Sequence, residues 1–177
     1  PPKPATSVFP NIPNPDRQGG DTIADATVIS ALPFTDSGTT AGYTNDYEEV
    51  CPYLGSTSPD VVYSYTPAAT EAVNIDMCGS DYDTKIYVYD SELNLVACND
   101  DFYYDATCGY WTSLLENVPL TGGGTYFIAI DGYGGAYGPY TIDIQLYVPC
   151  VLECPAGGLA EGEPPLADDY VDHWNGG

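Results

Sequence analysis

Oxygen-bearing side chains gather at two short stretches of this chain. Asp81 and Asp83 open one β-prone run, and Asn99, Asp100 and Asp101 close the next. Carboxylate and amide oxygens of this kind ligate hard cations, and calcium takes about six to eight oxygens from carboxylates and carbonyls on adjoining loops. If the two runs are neighbouring strands of a hairpin, Asp90 and Glu92 lie at its turn and the five residues meet at the opposite end. Asp131, ending a later run, is a second-line candidate. The spacing lacks the Asp-x-Asp-x-Asp-Gly order of an EF-hand loop, so the expectation of bound Ca2+ rests on clustering alone. The competing reading is solvated turn formers, because Asp and Asn are favoured in turns without any ion.

The charge balance sharpens that question. The 177 residues carry 26 acidic and 3 basic side chains, a net charge of −23. The bases are Lys3, Arg17 and Lys85, and only Lys85 lies beyond the first twenty positions. Nothing here can neutralise phosphates, which excludes nucleic acid and an anionic membrane surface as partners. The carboxylates must be tolerated in water or neutralised by bound cations. A hydrophobic content of 44% is that of a folded protein, not of an acidic disordered tail. No stretch approaches the roughly 18–20 apolar residues of a membrane span.

Catalysis has little to stand on. A nucleophilic triad needs a base, and the single His, His173, stands beside Trp174, far from any Ser or Cys partner. Among 26 acids some pair will lie at glycosidase separation by chance, and no feature marks one for a raised pKa. The chain reads as a non-enzyme.

The 6 Cys point to an oxidising, extracellular or cell-surface setting. Cys150 and Cys154 are the only close pair and His173 stands apart from them, so no zinc site is formed. The cysteines read as staples. Cys98 and Cys108 flank a loop that a bridge would close, Cys51 and Cys78 end two segments that meet at one edge, and Cys150 and Cys154 close a tight turn. Other pairings stay open. Met77 is the only Met and no basic-plus-apolar leader opens the chain, so it reads as processed or as recorded from a mature N-terminus.

Tyr is abundant, at 17 residues. Tyr103, Tyr104, Tyr110 and Trp111 lie in or beside the 98–108 loop, and Tyr133 and Tyr137 in a glycine-rich turn. Such rings stack on sugars, serve protein–protein contacts, or simply cover a surface that lacks Lys and Arg.

The elements that must position these groups are strands. Runs at 61–67, 72–78, 85–90, 125–131 and 140–148 are rich in β-branched and aromatic residues, with weaker ones at 27–32, 95–98 and 113–118. In the 140–148 run Tyr140, Ile142, Ile144 and Leu146 share one face, while Thr141, Asp143 and Gln145 share the other. About eight short antiparallel strands predict an all-β, jelly-roll-like sandwich over residues 21–149, with no helix longer than two turns. Residues 1–20 form a Pro-rich arm whose 5–10 stretch is β-capable, with Val8, Phe9 and Ile12 as its apolar groups. Gly19 and Gly20 read as a flexible joint. Residues 150–177 are an acidic, Pro/Gly-rich tail or linker.

Several strings then fall in one order. They are Gly20-Asp21-Thr22-Ile23-Ala24, Leu32-Pro33-Phe34-Thr35-Asp36-Ser37-Gly38-Thr39-Thr40, Ser58-Pro59-Asp60-Val61-Val62-Tyr63-Ser64-Tyr65-Thr66-Pro67, Tyr82-Asp83-Thr84-Lys85-Ile86-Tyr87-Val88-Tyr89, Ala97-Cys98-Asn99-Asp100-Asp101 and Asp131-Gly132-Tyr133-Gly134-Gly135. That order, over about residues 20–148, resembles the bacterial pre-peptidase C-terminal (PPC) domain family, in its cysteine-containing branch of secreted and surface proteins. The resemblance implies a non-catalytic β-sandwich, appended to secreted peptidases or repeated in surface proteins, some members of which bind calcium, collagen or other polymers. Many members carry Cys where Ile23 and Ala41 stand here, so that bridge cannot exist. The tail string Glu161-Gly162-Glu163-Pro164-Pro165-Leu166 looks like a linker that precedes another module in some relatives.

Two functions follow as expectations. The first is a structural subunit of an extracellular fibre or surface assembly, a homopolymer joined by strand donation from the arm and by sandwich–sandwich contact. The second is a non-catalytic module of a larger secreted protein that binds calcium and a polysaccharide or another surface protein.

Overall fold

The computed structural model describes residues 19–52 and 56–149. The arm residues Val8, Phe9 and Ile12, together with Cys150 and Cys154 and the rest of the tail, lie outside the described residues. Chain contacts separate one unit ending at Tyr147 from a second, Val148–Gly177, and every strand belongs to the first.

The strands are β1 (Thr27–Ile29), β2 (Phe34–Thr39), β3 (Val61–Tyr65), β4 (Glu71–Asp76), β5 (Thr84–Tyr89), β6 (Leu95–Asn99), β7 (Tyr103–Asp105), β8 (Gly109–Thr112), β9 (Leu114–Leu120), β10 (Tyr126–Gly132) and β11 (Pro139–Leu146). One sheet runs β1-β3-β10-β5-β6 and the other β2-β11-β4-β9, while β7 and β8 pair apart as a small hairpin. The expected all-β sandwich is therefore what forms. The sole helical element among the described residues is a single 3-10 turn, Ile23–Asp25. No helix there is long and apolar enough to cross a membrane.

Alternation along the strands decides which residues enter the core. Val61, Tyr63 and Tyr65 of β3, Ile86 and Val88 of β5, and Ile128 and Ile130 of β10 point from the five-stranded sheet into one cluster. Val73 and Ile75 of β4, Val118 and Leu120 of β9, and Tyr140, Ile142 and Ile144 of β11 meet them from the other sheet. Each such side chain, once buried, contributes about 1.5–3 kcal/mol. Leu146, the last residue of β11, departs from its predicted core face and is 48% exposed.

The five-stranded sheet is buried on its outer face as well. Val62, Tyr87, Tyr89 and Ala129 form a second cluster with Cys51, and Tyr47 and Ile23 pack against it. The segment 43–52 thus lies over this face as a cover, which is why all six residues of β5 are buried.

Several expectations give way. β2, β7 and β8 have no counterpart among the predicted strands. The Phe34–Thr39 run has few β-branched apolar residues, and it becomes a strand by pairing with β11 from Thr39↔Pro139 to Phe34↔Ile144. β1 pairs with β3 in parallel, the exception to an antiparallel order. Gly20 is no joint: it exchanges two backbone hydrogen bonds with Val62, at 2.9 and 2.8 Å. The pairings Cys51–Cys78 and Cys98–Cys108 are replaced by Cys51–Cys98 and Cys78–Cys108. Cys98 sits on β6 under the cover, where Cys51 crosses, and Cys108 tips the β7–β8 hairpin that folds back over Gly79, whose N–H donates to the Cys108 carbonyl at 3.0 Å. Both partners are long-range, so sequence proximity misleads.

Candidate metal centre and aromatic groove

The β5–β6 hairpin positions the acidic residues. Its antiparallel register, Ile86↔Asn99 and Tyr87↔Cys98, sets Asp83 just before β5 beside Asp100 and Asp101 just after β6. At the far end Asp90 shapes the turn, its Oδ1 accepting the N–H groups of Glu92 and Asn94, each at 2.9 Å. One carboxylate oxygen from each of Asp83, Asp100 and Asp101 lies within 4.8 Å of the others. Asp83 and Asp100 are buried and Asp101 is exposed.

Neighbouring loops hold this constellation in place. The Ser113 hydroxyl lies 2.6 Å from the Asp100 carbonyl and 2.5 Å from that of Thr84, and shares its one proton between them. The Ser113 N–H donates to Thr84 Oγ1 at 2.9 Å, and the Leu114 N–H to Asn99 Oδ1 at 3.2 Å. Tyr133, from the glycine-rich turn, donates its N–H to the Asp83 carbonyl at 3.1 Å. Carboxylates this close repel when ionised, the more so where water screens them poorly, and two of the three are buried. A dication reverses the sign of that interaction, and an all-oxygen donor set suits Ca2+ or Mg2+ over a softer metal. Asp83, Asp100 and Asp101 are the residues that could hold it.

The other sequence candidates divide. Asp81 is exposed and stands outside the trio, and its N–H donates to the Pro139 carbonyl. Asn99 supports the loop through its bond from Leu114. Asp131 lies away from the trio, on the outer face of β10. Its Oδ1 accepts the Ser56 hydroxyl at 2.7 Å and its Oδ2 the Tyr87 hydroxyl at 2.8 Å.

Asp131 belongs instead to a second acidic group that sequence reasoning missed. Asp60, fully buried at the start of β3, accepts the N–H groups of Asp46 and Tyr47 at 2.9 and 3.0 Å. Burial pushes Asp60 up to about 7 despite these bonds, and the nearby Asp131 charge adds to the rise. Burial likewise pushes Asp131 up to about 6, against its bonds from Ser56, Gly132 and Tyr87 and the nearby Lys85 charge. Lys85 is itself fully buried, with Nζ donating to the Glu49 carbonyl at 3.2 Å and lying 5.6 Å from the Tyr87 ring centroid. The signal available in the sequence was Lys85 itself, a lone cation within a strand of apolar and aromatic residues.

The aromatic residues form a platform beside the trio. Tyr104 and Tyr110 meet edge to face at 5.1 Å, and Trp111 lies 5.5 Å from Tyr104. A groove lined by Ser80, Asp81, Asp83, Tyr110 and Trp111 runs between platform and acidic loop. Trp111 is the extra residue of a β-bulge, between the pairs Tyr103↔Thr112 and Tyr104↔Tyr110, and its φ is 64°. A bulky residue in the left-handed region is strained, and bulges of this kind re-aim a side chain. Tyr103 differs from its neighbours: its hydroxyl donates to Asp76 at 3.0 Å, a bond that pins the hairpin to β4. Tyr133 and Tyr137 are half-buried and do not line the groove.

No family model and no curated protein matches the chain. Among solved structures, it is similar to the pre-peptidase C-terminal domain of a collagenase from Bacillus anthracis, at 13% identity and a TM-score of 0.43, over 67% of this chain and 93% of that one. It is also similar to PliG of Aeromonas hydrophila, a periplasmic inhibitor of g-type lysozyme, at 12% identity and a TM-score of 0.40, over 68% of this chain and 94% of that one. These likenesses are of fold alone.

Proposed function

We propose that this chain is a structural subunit of an extracellular fibre or surface assembly, polymerising with copies of itself through strand donation and sandwich–sandwich contact. One observation carries the reading. Both sheets are open, ending in β1 and β6 and in β2 and β9, and the single Lys or Arg among the described residues, Lys85, is fully buried. Lys is a common guard of strand edges against pairing, and none of these edges has one. The two disulfides support maturation in an oxidising, extracytoplasmic compartment. Negative-stain electron microscopy of the full chain tests the proposal. Regular filaments that vanish when residues 1–15 are deleted support it, and dispersed particles at every concentration and calcium level overturn it.

A second reading has its own observation, the Asp83–Asp100–Asp101 trio opening beside a groove edged by Tyr110 and Trp111. This geometry favours a calcium-binding module that engages a polysaccharide or a protein through its rings. Calorimetric titration with Ca2+ checks it: saturable binding lost in Asp100→Asn supports the reading, and identical heats from both proteins remove it.

A further inference from the structure

The assembly reading leaves open which edge receives a strand, and the four edges are not alike. β9 carries Glu116, Pro119 and Asn117, the last at a φ of 55°. A charge, a proline and an irregular backbone are three devices that keep a strand from adding there. β2 carries Asp36 and Gly38 on its six residues, and β1 is only three residues long. β6 reads Leu-Val-Ala-Cys-Asn, with no charge, proline or glycine, and Leu95 is 39% exposed. Its last residue is already engaged, since Ser113 and Leu114 bond to Asn99. Val96 and Ala97 pack against the core and Cys98 is bridged to Cys51 under the cover, so what β6 leaves for pairing is the main-chain edge along Leu95–Cys98.

Charge points to what covers it. Residues 1–18 hold Lys3 and Arg17 against Asp16 alone, 2 − 1 = +1, whereas residues 19–177 hold Lys85 against 25 acids, 1 − 25 = −24. The arm is thus the one part of the chain attracted to the rest. β6 is flanked by acids at both ends, Asp90 and Glu92 before it and the exposed Asp101 after it.

Resting on the assembly reading, we propose that the Leu95–Cys98 edge of β6 receives residues 5–12 of a second copy as an added strand. The donor leaves from elsewhere on the sheet. Gly20 bonds to Val62 of β3, whose other side is taken by β10, so Gly20 stands on the β1 side, about 19 Å from β6 at four strand spacings. Donor and acceptor are different surfaces, so the contact is heterologous and repeats from copy to copy. Main-chain bonds to β6 supply affinity, with Val8 and Ile12 on one face of the added strand and Phe9 on the other. Pro10 is accommodated because an added strand pairs on one side only.

Photocrosslinking locates the acceptor. A 15N-labelled chain with benzoylphenylalanine in place of Phe9 is mixed with unlabelled chain, irradiated and digested, while light scattering follows growth of the same sample. Crosslinks from the labelled arm to unlabelled residues 95–98 are expected, and Leu95→Lys in the acceptor should slow growth about tenfold or more without changing its melting temperature. Growth with crosslinks to β1, β2 or β9, to the same chain, or to no site overturns the β6 assignment and leaves assembly standing. A chain that stays at monomer mass overturns the assembly reading and the assignment with it.

Discussion

The Asp60 carboxylate accepts the Tyr47 N–H at 3.0 Å, and this bond fastens the cover segment to the start of β3. Asp131 accepts the Ser56 hydroxyl at 2.7 Å just beyond the cover. Two buried acids therefore hold the cover and the chain that follows it against the outer face of the five-stranded sheet.

Their titration makes the cover pH-sensitive. Both folded values are raised, to about 7 for Asp60 and about 6 for Asp131, above the ordinary 3.8. A raised acid stabilises the fold fully below its unfolded value, and that stability is lost as pH rises through the folded value. Stability in chelating buffer should fall from pH 5 to pH 7 by on the order of 1 kcal/mol per pH unit and level off above it, and Asp60→Asn should flatten the slope. Calorimetric melts at several pH values check this.

Calcium should act at the other acidic group. A ligand at a hundredfold excess over its dissociation constant raises stability by about 2.7 kcal/mol. The expected melting temperature rises with Ca2+ at moderate salt, falls with chelator, and ignores both in Asp100→Asn. Without calcium that variant should be the more stable protein, because one of three clustered charges is gone. Thermal melts in chelator and in Ca2+ read both effects.

The disulfide connectivity has its own consequence. Cys78 and Cys108 are 30 residues apart, and on the chain-entropy model closing such a loop contributes about 3–4 kcal/mol. Replacing both by Ser should cost that much in denaturant titration and loosen the β7–β8 hairpin. Peptide mapping without reduction should recover 51 joined to 98 and 78 joined to 108.

Trp111→Gly should behave unlike an ordinary aromatic deletion, which costs about 3–5 kcal/mol in a core. Gly relieves the φ of 64°, a gain of roughly 1–3 kcal/mol that offsets the lost ring contacts. A near-unchanged melting temperature is expected, and a loss as large as a core deletion would show the bulge to be unstrained.

What was legible in the sequence is what depends on near neighbours. The alternation of Tyr140, Ile142 and Ile144 marked β11, and their burial bears it out. The Lys85 and Leu95 runs marked a hairpin with Asp90 at its turn, and that register brought Asp83, Asp100 and Asp101 to one end. Only the tertiary structure decided the rest. The cover that buries Lys85, Asp60 and Asp131, the strand character of Phe34–Thr39, and the partners of Cys51 and Cys78 all arise between residues far apart in the chain. Periodicity reports which face of a strand is apolar. It carries no record of which distant segment will lie on that face, because that choice is made by packing and by hydrogen-bond closure once the sheets have formed.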